Sequence, residues 1–201
     1  MQIYLVRHGE STANQRGVHN REDEPLTQRG IAESEAVAAR LDAVKFDIVF
    51  VSPLLRARQT AAAITMRHHD VRVFTDNRIR ERDSGVFAGA PHGTISAAAR
   101  EAGVIYEDSR APGGESLRDM EQRAQMFMQE LMTFQSELGN VLIVSHARPI
   151  GAMLWLFMAT RESAPSLEVR NGSITVLDTD HPDVVTLLAD ISHLSDLDSL
   201  H

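Results

Sequence analysis

Three short runs, Gln2-Ile3-Tyr4-Leu5-Val6, Asp47-Ile48-Val49-Phe50-Val51 and Asn140-Val141-Leu142-Ile143-Val144, are apolar almost throughout. Such runs predict central strands covered on both faces, because half-exposed strands alternate. Between them the period lengthens. Thr27 to Val44 reads as a helix capped by Thr27, with Ile31, Val37 and Leu41 facing the core. Leu54 to Met66 is a second helix entered through Pro53, and Val71 to Phe74 is a short alternating strand. Residues 84–114 carry Gly85, Gly89, Pro91, Gly93, Gly103, Pro112, Gly113 and Gly114, so they predict a loop-rich segment with a short helix at Thr94–Glu101.

Ser116 to Leu138 is a long amphipathic helix, with Leu117, Met120, Ala124, Phe127, Leu131 and Phe134 at helical spacing. Pro149 to Ala159 reads as a buried helix. Asn171-Gly172 signals a turn before strands at Ser173–Leu177 and Val184–Leu188, and Ser192–His201 reads as a frayed polar tail. Alternating strands and helices predict an α/β fold: a three-layer α/β/α sandwich with a mostly parallel central sheet whose late strands can pair antiparallel. The 201 residues fit a single domain, 1–201, with an insertion at about 82–114.

Chemistry gathers where the apolar runs stop. The first ends at Arg7-His8-Gly9-Glu10, the second at Ser52-Pro53 ahead of Arg56 and Arg58, and the third at Ser145-His146. Open α/β sheets bind ligands at the carboxyl ends of their strands. Arg56 and Arg58 point about 200° apart on a helix, so only one of them can face a small pocket.

The formal net charge of −8 argues against nucleic acid or an anionic membrane as a partner, while leaving room for a small anion in a locally basic cleft. The absence of cysteine excludes a thiolate metal site or a cysteine nucleophile. No signal-peptide pattern is seen, and the apolar stretch from Gly151 to Ala159 is too short to span a bilayer, so a cytoplasmic location is expected.

Arg7-His8-Gly9-Glu10-Ser11-Thr12 with Asn14, Pro25-Leu26-Thr27 through Gly30, and Ser52 through Ala61 resemble the histidine phosphatase superfamily, in its cofactor-dependent phosphoglycerate mutase-like branch. Glu81, Gly113-Gly114-Glu115-Ser116, Ser145-His146 and Asn171 to Ile174 extend the resemblance nearly end to end. It implies a phosphoglycerate mutase-like fold and a reaction in which His8 attacks phosphorus and water cleaves the phosphohistidine. Arg7, Arg58, His146 and Asn14 would hold the phosphoryl group, and Glu81 would be the general acid. The resemblance selects Arg58 for the pocket and leaves Arg56 a structural role. It implies no cofactor and no metal ligand.

The departures concern substrate. The run Gln15 to Arg21 lacks the family's Gly-Arg-x-Gln-Gly pattern, and Phe87-Ala88-Gly89 replaces its aromatic-acid-glycine. Segment 82–114 is compact, with few basic residues suited to a substrate carboxylate. These features favour a small phosphatase member, a phosphoric monoester hydrolase of the histidine acid phosphatase type. A mutase and a weakly catalytic phospho-ligand binder are the alternatives. The expected partner is a small phosphorylated metabolite, such as a sugar, glycerate or ribazole phosphate. His19 and His92 fall in segments that line the substrate mouth in relatives, where either could touch substrate. A homodimer stays open.

Overall fold

The computed structural model describes residues 1–134, 136–158, 168–181 and 185–198. Its strands are β1 (Gln2–Arg7), β2 (Ile48–Val51), β3 (Arg72–Thr75), β4 (Asn140–Ser145), β5 (Ile174–Asp178) and β6 (Val185–Asp190). The helices are α1 (Thr12–Arg16), α2 (Gln28–Leu41), α3 (Leu55–Thr65), α4 (Thr94–Glu101), α5 (Leu117–Met132), α6 (Ala147–Met158) and α7 (Ser195–Asp198). Among the described residues one sheet runs in the order β3-β2-β4-β1-β5-β6. The pairs β3–β2, β2–β4 and β4–β1 are parallel, whereas β5 lies antiparallel to both β1 and β6.

The apolar runs fill the middle of this sheet, and each buries both faces. Ile3, Leu5, Val141 and Ile143 pack beneath Phe127, Met128 and Leu131 of α5 and Met153 and Leu154 of α6. On the other face Val6, Val49, Val51, Leu142 and Val144 meet Val37 and Leu41 of α2 and Ala57, Ala61 and Ile64 of α3. This is the three-layer sandwich that the pattern predicts. The register pairs Arg7 with Ser145 and Val51 with Val144. His8, Ser52 and His146 therefore leave the sheet side by side.

Several expectations need correction. Ile31 is 38% exposed, because the buried stripe of α2 runs through Gly30, Glu33, Ser34, Val37 and Leu41. Its polar members serve the loop after β1: Glu33 Oε2 accepts from the Glu10 amide (2.7 Å), and Ser34 Oγ donates to Thr60 Oγ1 (3.0 Å). Phe134 is also exposed, since α5 ends at Met132 with Thr133 as its cap. The edge strand β3 is exposed along its length, so its alternation buries nothing. Residues 192–198 are ordered into a turn and α7, with Leu194 buried, instead of fraying. Ala159, Glu162, Pro182, Val184 and residues 199–201 lie outside the described residues. No described helix is long and apolar enough to cross a membrane.

A backbone-to-backbone contact fixes the loop after β1. A Cβ on Gly30 would sit 2.0 Å from the Glu10 carbonyl oxygen, and one on Gly9 would sit 2.2 Å from the Gly30 carbonyl oxygen. Gly151, within α6, has open space where its Cβ would go. Gly30→Ala should therefore lose stability at or beyond the upper end of the ~1–3 kcal/mol overpacking range, because backbone cannot rotate aside. Gly151→Ala should gain up to about 1 kcal/mol from helix propensity. Urea unfolding of the two variants beside the parent checks both signs.

Candidate active site

His8 follows β1 directly, and its amide donates to the Ser145 carbonyl (3.0 Å), so the sheet ladder continues to His8. The ring is 2% exposed. His8 Nδ1 lies 2.6 Å from the Gly9 carbonyl oxygen. A carbonyl only accepts, so Nδ1 carries the proton and Nε2 keeps its lone pair. That lone pair accepts a hydrogen bond from Arg56 Nε at 3.3 Å. Burial, followed by the charges of Arg56 and Arg7, pushes the His8 pKa well below the usual histidine value. The ring is neutral at pH 7 and offers Nε2.

His146 stacks near it, with ring centroids 4.9 Å apart and planes tilted by 60°. Its Nε2 shares a 2.7 Å hydrogen bond with Ser52 Oγ, and its buried Nδ1 has no partner among the described residues. Burial first, then Arg56, His8 and Arg7, lowers its pKa as well. Arg7 donates through Nη1 to the Val169 carbonyl (2.7 Å), and its Nε has no partner among the described residues. Asn14 Oδ1 accepts from the Ser11 amide (3.1 Å), Ser11 Oγ (2.9 Å) and Asn171 Nδ2 (3.2 Å). With the oxygen so occupied, the Asn14 amide nitrogen is the end left for the cavity that Asn14 lines.

The arginine assignment is reversed. Arg58 is exposed and lines no part of this cavity, whereas Arg56 is 1% exposed and touches His8. The buried stripe of α3 is Arg56, Ala57, Thr60, Ala61 and Ile64. Thr60 Oγ1 accepts from the Gly9 amide (3.1 Å), which turns the 56/60 face towards the His8 loop. A threonine one turn after Arg56, amid buried alanines, was the signal for this choice. Burial lowers Arg56 to about 10, opposed most by Glu81, so it stays protonated at neutral pH.

Glu81 lines the same cavity and accepts from the Arg82 amide through Oε1 (2.9 Å). Its backbone is clamped from α5. Arg123 donates to the carbonyls of Arg78 and Arg80 (2.7 Å each) and Glu81 (3.1 Å), and its Nε binds Glu115 Oε2 at 3.0 Å. Glu115 Oε1 in turn accepts from the Asp83 amide (2.9 Å). The cavity holds about 380 Å³ and runs from buried His8 to a mouth at exposed His92 and Arg148. His19 and His92 both line it, with ring centroids 5.3 Å apart. Sequence reasoning passed over Arg82, Tyr106, Arg123 and Arg148, which occupy unremarkable sequence contexts and meet only in the fold.

Two buried neutral imidazoles carry a pH dependence whose sign is fixed. Unfolded, His8 and His146 titrate near 6.5; folded, they resist protonation to lower pH. Below pH 6.5 the unfolded chain takes up protons that the folded chain refuses, so stability falls as pH falls, by up to about 1.4 kcal/mol per unit for each ring. Urea unfolding without phosphate should show a loss of roughly 2–3 kcal/mol between pH 7.5 and 5.5, and a shallower slope in His146→Gln. A stability that is flat or rises over this interval would contradict the neutral assignment.

Residues 3–190 match the family description "Histidine phosphatase superfamily (branch 1)". A fructose-2,6-bisphosphatase TIGAR of Xenopus tropicalis is 36% identical over 151 residues, covering 68% of this chain and 55% of that protein. The chain thus spans about half the length of that relative. A probable phosphoglycerate mutase GpmB of Proteus mirabilis is 31% identical over 209 residues, covering 98% and 96% of the two chains. The solved α-ribazole phosphatase of Shigella flexneri superposes with a TM-score of 0.79 at 25% identity, covering 94% and 96%. With a strand-end histidine between half-buried Arg7 and buried Arg56, and a family match along nearly its whole length, this chain belongs to branch 1 of the histidine phosphatase superfamily.

Proposed function

We infer that the protein is a phosphomonoester phosphatase acting on small phosphorylated metabolites through a phosphohistidine at His8. One observation carries this reading above the others: the 2.6 Å bond from His8 Nδ1 to the Gly9 carbonyl, which commits Nε2 to nucleophilic work beside Arg56. The activities named for the Xenopus and Shigella relatives support it.

In the first step His8 Nε2 forms a bond to phosphorus as the ester P–O bond breaks, and the Glu81 carboxyl gives its proton to the departing oxygen. In the second, water attacks phosphorus, Glu81 takes the water's proton, and the N–P bond returns its electron pair to Nε2. Arg7, Arg56, the His146 Nδ1 side and the Asn14 amide supply donors for the equatorial oxygens, where charge is spread in phosphoryl transfer. The Arg56 Nε–H that now meets His8 Nε2 is in place to take a phosphoryl oxygen once phosphorus reaches that nitrogen. The exposed rim at His92 and Arg148 admits water to the phosphoenzyme, which favours hydrolysis over mutase-type return of the group.

Phosphate release from a panel of phosphomonoesters in EDTA is expected to persist in the parent and vanish in His8→Ala. Absence of release from every ester would overturn the reading. Arg56→Ala should lower kcat/KM by about 10²–10³-fold, in the range of a lost oxyanion donor, while Arg58→Ala stays near the parent value. Glu81→Gln should slow alkyl phosphates by about 10²–10⁴-fold and esters with good leaving groups far less. Equal losses on both ester types would remove Glu81 from the acid role.

A further inference from the structure

A neutral imidazole carries one ring proton, so it offers a donor at one nitrogen and an acceptor at the other. For His8 the Gly9 carbonyl makes that choice. His146 faces the same choice with the opposite need. A ring that is to hold a phosphoryl oxygen has to present N–H, because a lone pair in that place repels the oxygen. Burial, with Arg56, His8 and Arg7 close by, keeps His146 neutral, so no second proton turns both nitrogens into donors. The position of the single proton therefore has to be set by the fold.

The Ser52 hydroxyl sets it. Ser52 and His146 are each 0% exposed. His146 Nε2 lies 2.7 Å from Ser52 Oγ, and Nδ1 has no partner among the described residues. A hydroxyl has one proton to give and two lone pairs to offer. One lone pair of Ser52 Oγ takes the Leu54 amide proton at 3.4 Å, where the chain turns into α3. Among the described residues, the acceptor in reach of the Ser52 proton is His146 Nε2.

Two arrangements are open to the pair. With the ring proton on Nε2 and donated to Oγ, the hydroxyl proton is sealed in the core without an acceptor, and Nδ1 shows its lone pair. With the hydroxyl proton donated to Nε2, the Ser52 end is satisfied and the ring proton sits on Nδ1. Leaving a buried donor unpaired is costly, so the second arrangement prevails. The serine itself is held by the sheet: its amide donates to the Val144 carbonyl at 3.0 Å, next to the Val51–Val144 pair.

We propose that Ser52 is a positioning residue, whose hydroxyl holds His146 as the Nδ1–H tautomer and so supplies the donor that His146 gives to the transferring phosphoryl group. The proposal rests on the phosphatase reading and adds to it a residue that acts only through His146. Both imidazoles then carry the proton on Nδ1, for opposite tasks. His8 has its N–H tied to a carbonyl and works through its lone pair; His146 has its lone pair tied to a hydroxyl and works through its N–H.

Nitrogen-15 shifts of histidine rings separate a protonated nitrogen from a bare one, and comparison with His146→Gln picks out the His146 signals among the nine histidines. The parent at about pH 7.5 should show a protonated Nδ1 and a bare Nε2 at His146. Ser52→Ala should lose that signature to the averaged shifts of exchanging tautomers. Its kcat/KM on a hydrolysed phosphomonoester should fall by roughly 10–100-fold, approaching the cost of one lost oxyanion donor. Ser52→Thr, which keeps a hydroxyl, should recover both properties, while Ser52→Val, alike in shape, should not. If neither branched variant folds, Ser52→Ala decides alone. The role of Ser52 is overturned by a protonated Nε2 in the parent, by a Ser52→Ala protein that keeps either the parent's shifts or its efficiency, or by a folded Ser52→Thr no better than Ser52→Val. In each of those cases phosphate release by the parent leaves the phosphatase reading intact. A parent that releases no phosphate from any ester overturns both.

Discussion

The contact between Gly9 and Gly30 governs the site more than any side chain does. Two stretches of backbone lie against each other with no room for a methyl group on either. Their approach presses the loop after β1 onto the first turn of α2, where Glu33 and Thr27 take hold of Glu10. It also leaves the Gly9 carbonyl facing His8 Nδ1 and the Gly9 amide facing Thr60. The choice of tautomer is therefore made by main-chain packing. A side-chain acceptor in that role could rotate away or titrate; a main-chain carbonyl in a loop packed this closely on α2 does neither.

Electrostatics add a second constraint. Among the described residues, three covered arginines without carboxylate partners and two neutral histidines lie in a molecule of net charge −8. The stability forgone by leaving those cations unpaired must come from the sandwich around them, whose central strands are buried on both faces. The Arg123–Glu115 pair applies the same logic to Glu81. One guanidinium binding three carbonyls makes an irregular segment behave as rigid backbone, so a carboxyl on a loop gains the fixity of one on a helix.

Most of the framework was legible because apolar runs and helical periodicity report burial directly. The central strands, the Thr27 cap and the short helix Thr94–Glu101 fall where the pattern places them. Arg7, His8, Asn14 and Glu81 line one cavity, and the His146 ring lies beside that of His8. Arg56 and Arg58 were harder, because helical geometry says only that they diverge, and the turn of α3 that decides between them depends on a hydrogen bond from Gly9 to Thr60. Ile31 misled for a related reason: polar Glu33 and Ser34 outrank it for burial because the loop after β1 needs them. The Arg82–Tyr106–Arg148 grouping was invisible, since its members are separated in sequence and meet only through the cavity wall.

The place of β1 has a bearing on how such a molecule is made. β1 lies in the interior of the sheet, flanked by β4 and β5, whose partner residues begin at 140 and end at 178. During synthesis His8 emerges together with the Gly9 carbonyl that faces its Nδ1, whereas the strands that flank β1 and the His146 ring beside it come only with residues 140–178. Until β4 is made, β1 has no strand to pair with and β2–β3 stands apart from it, and joining them costs the entropy of closing a long loop. His8 thus gains its burial between flanking strands, and the His146 ring at its side, only when the sheet closes around β1.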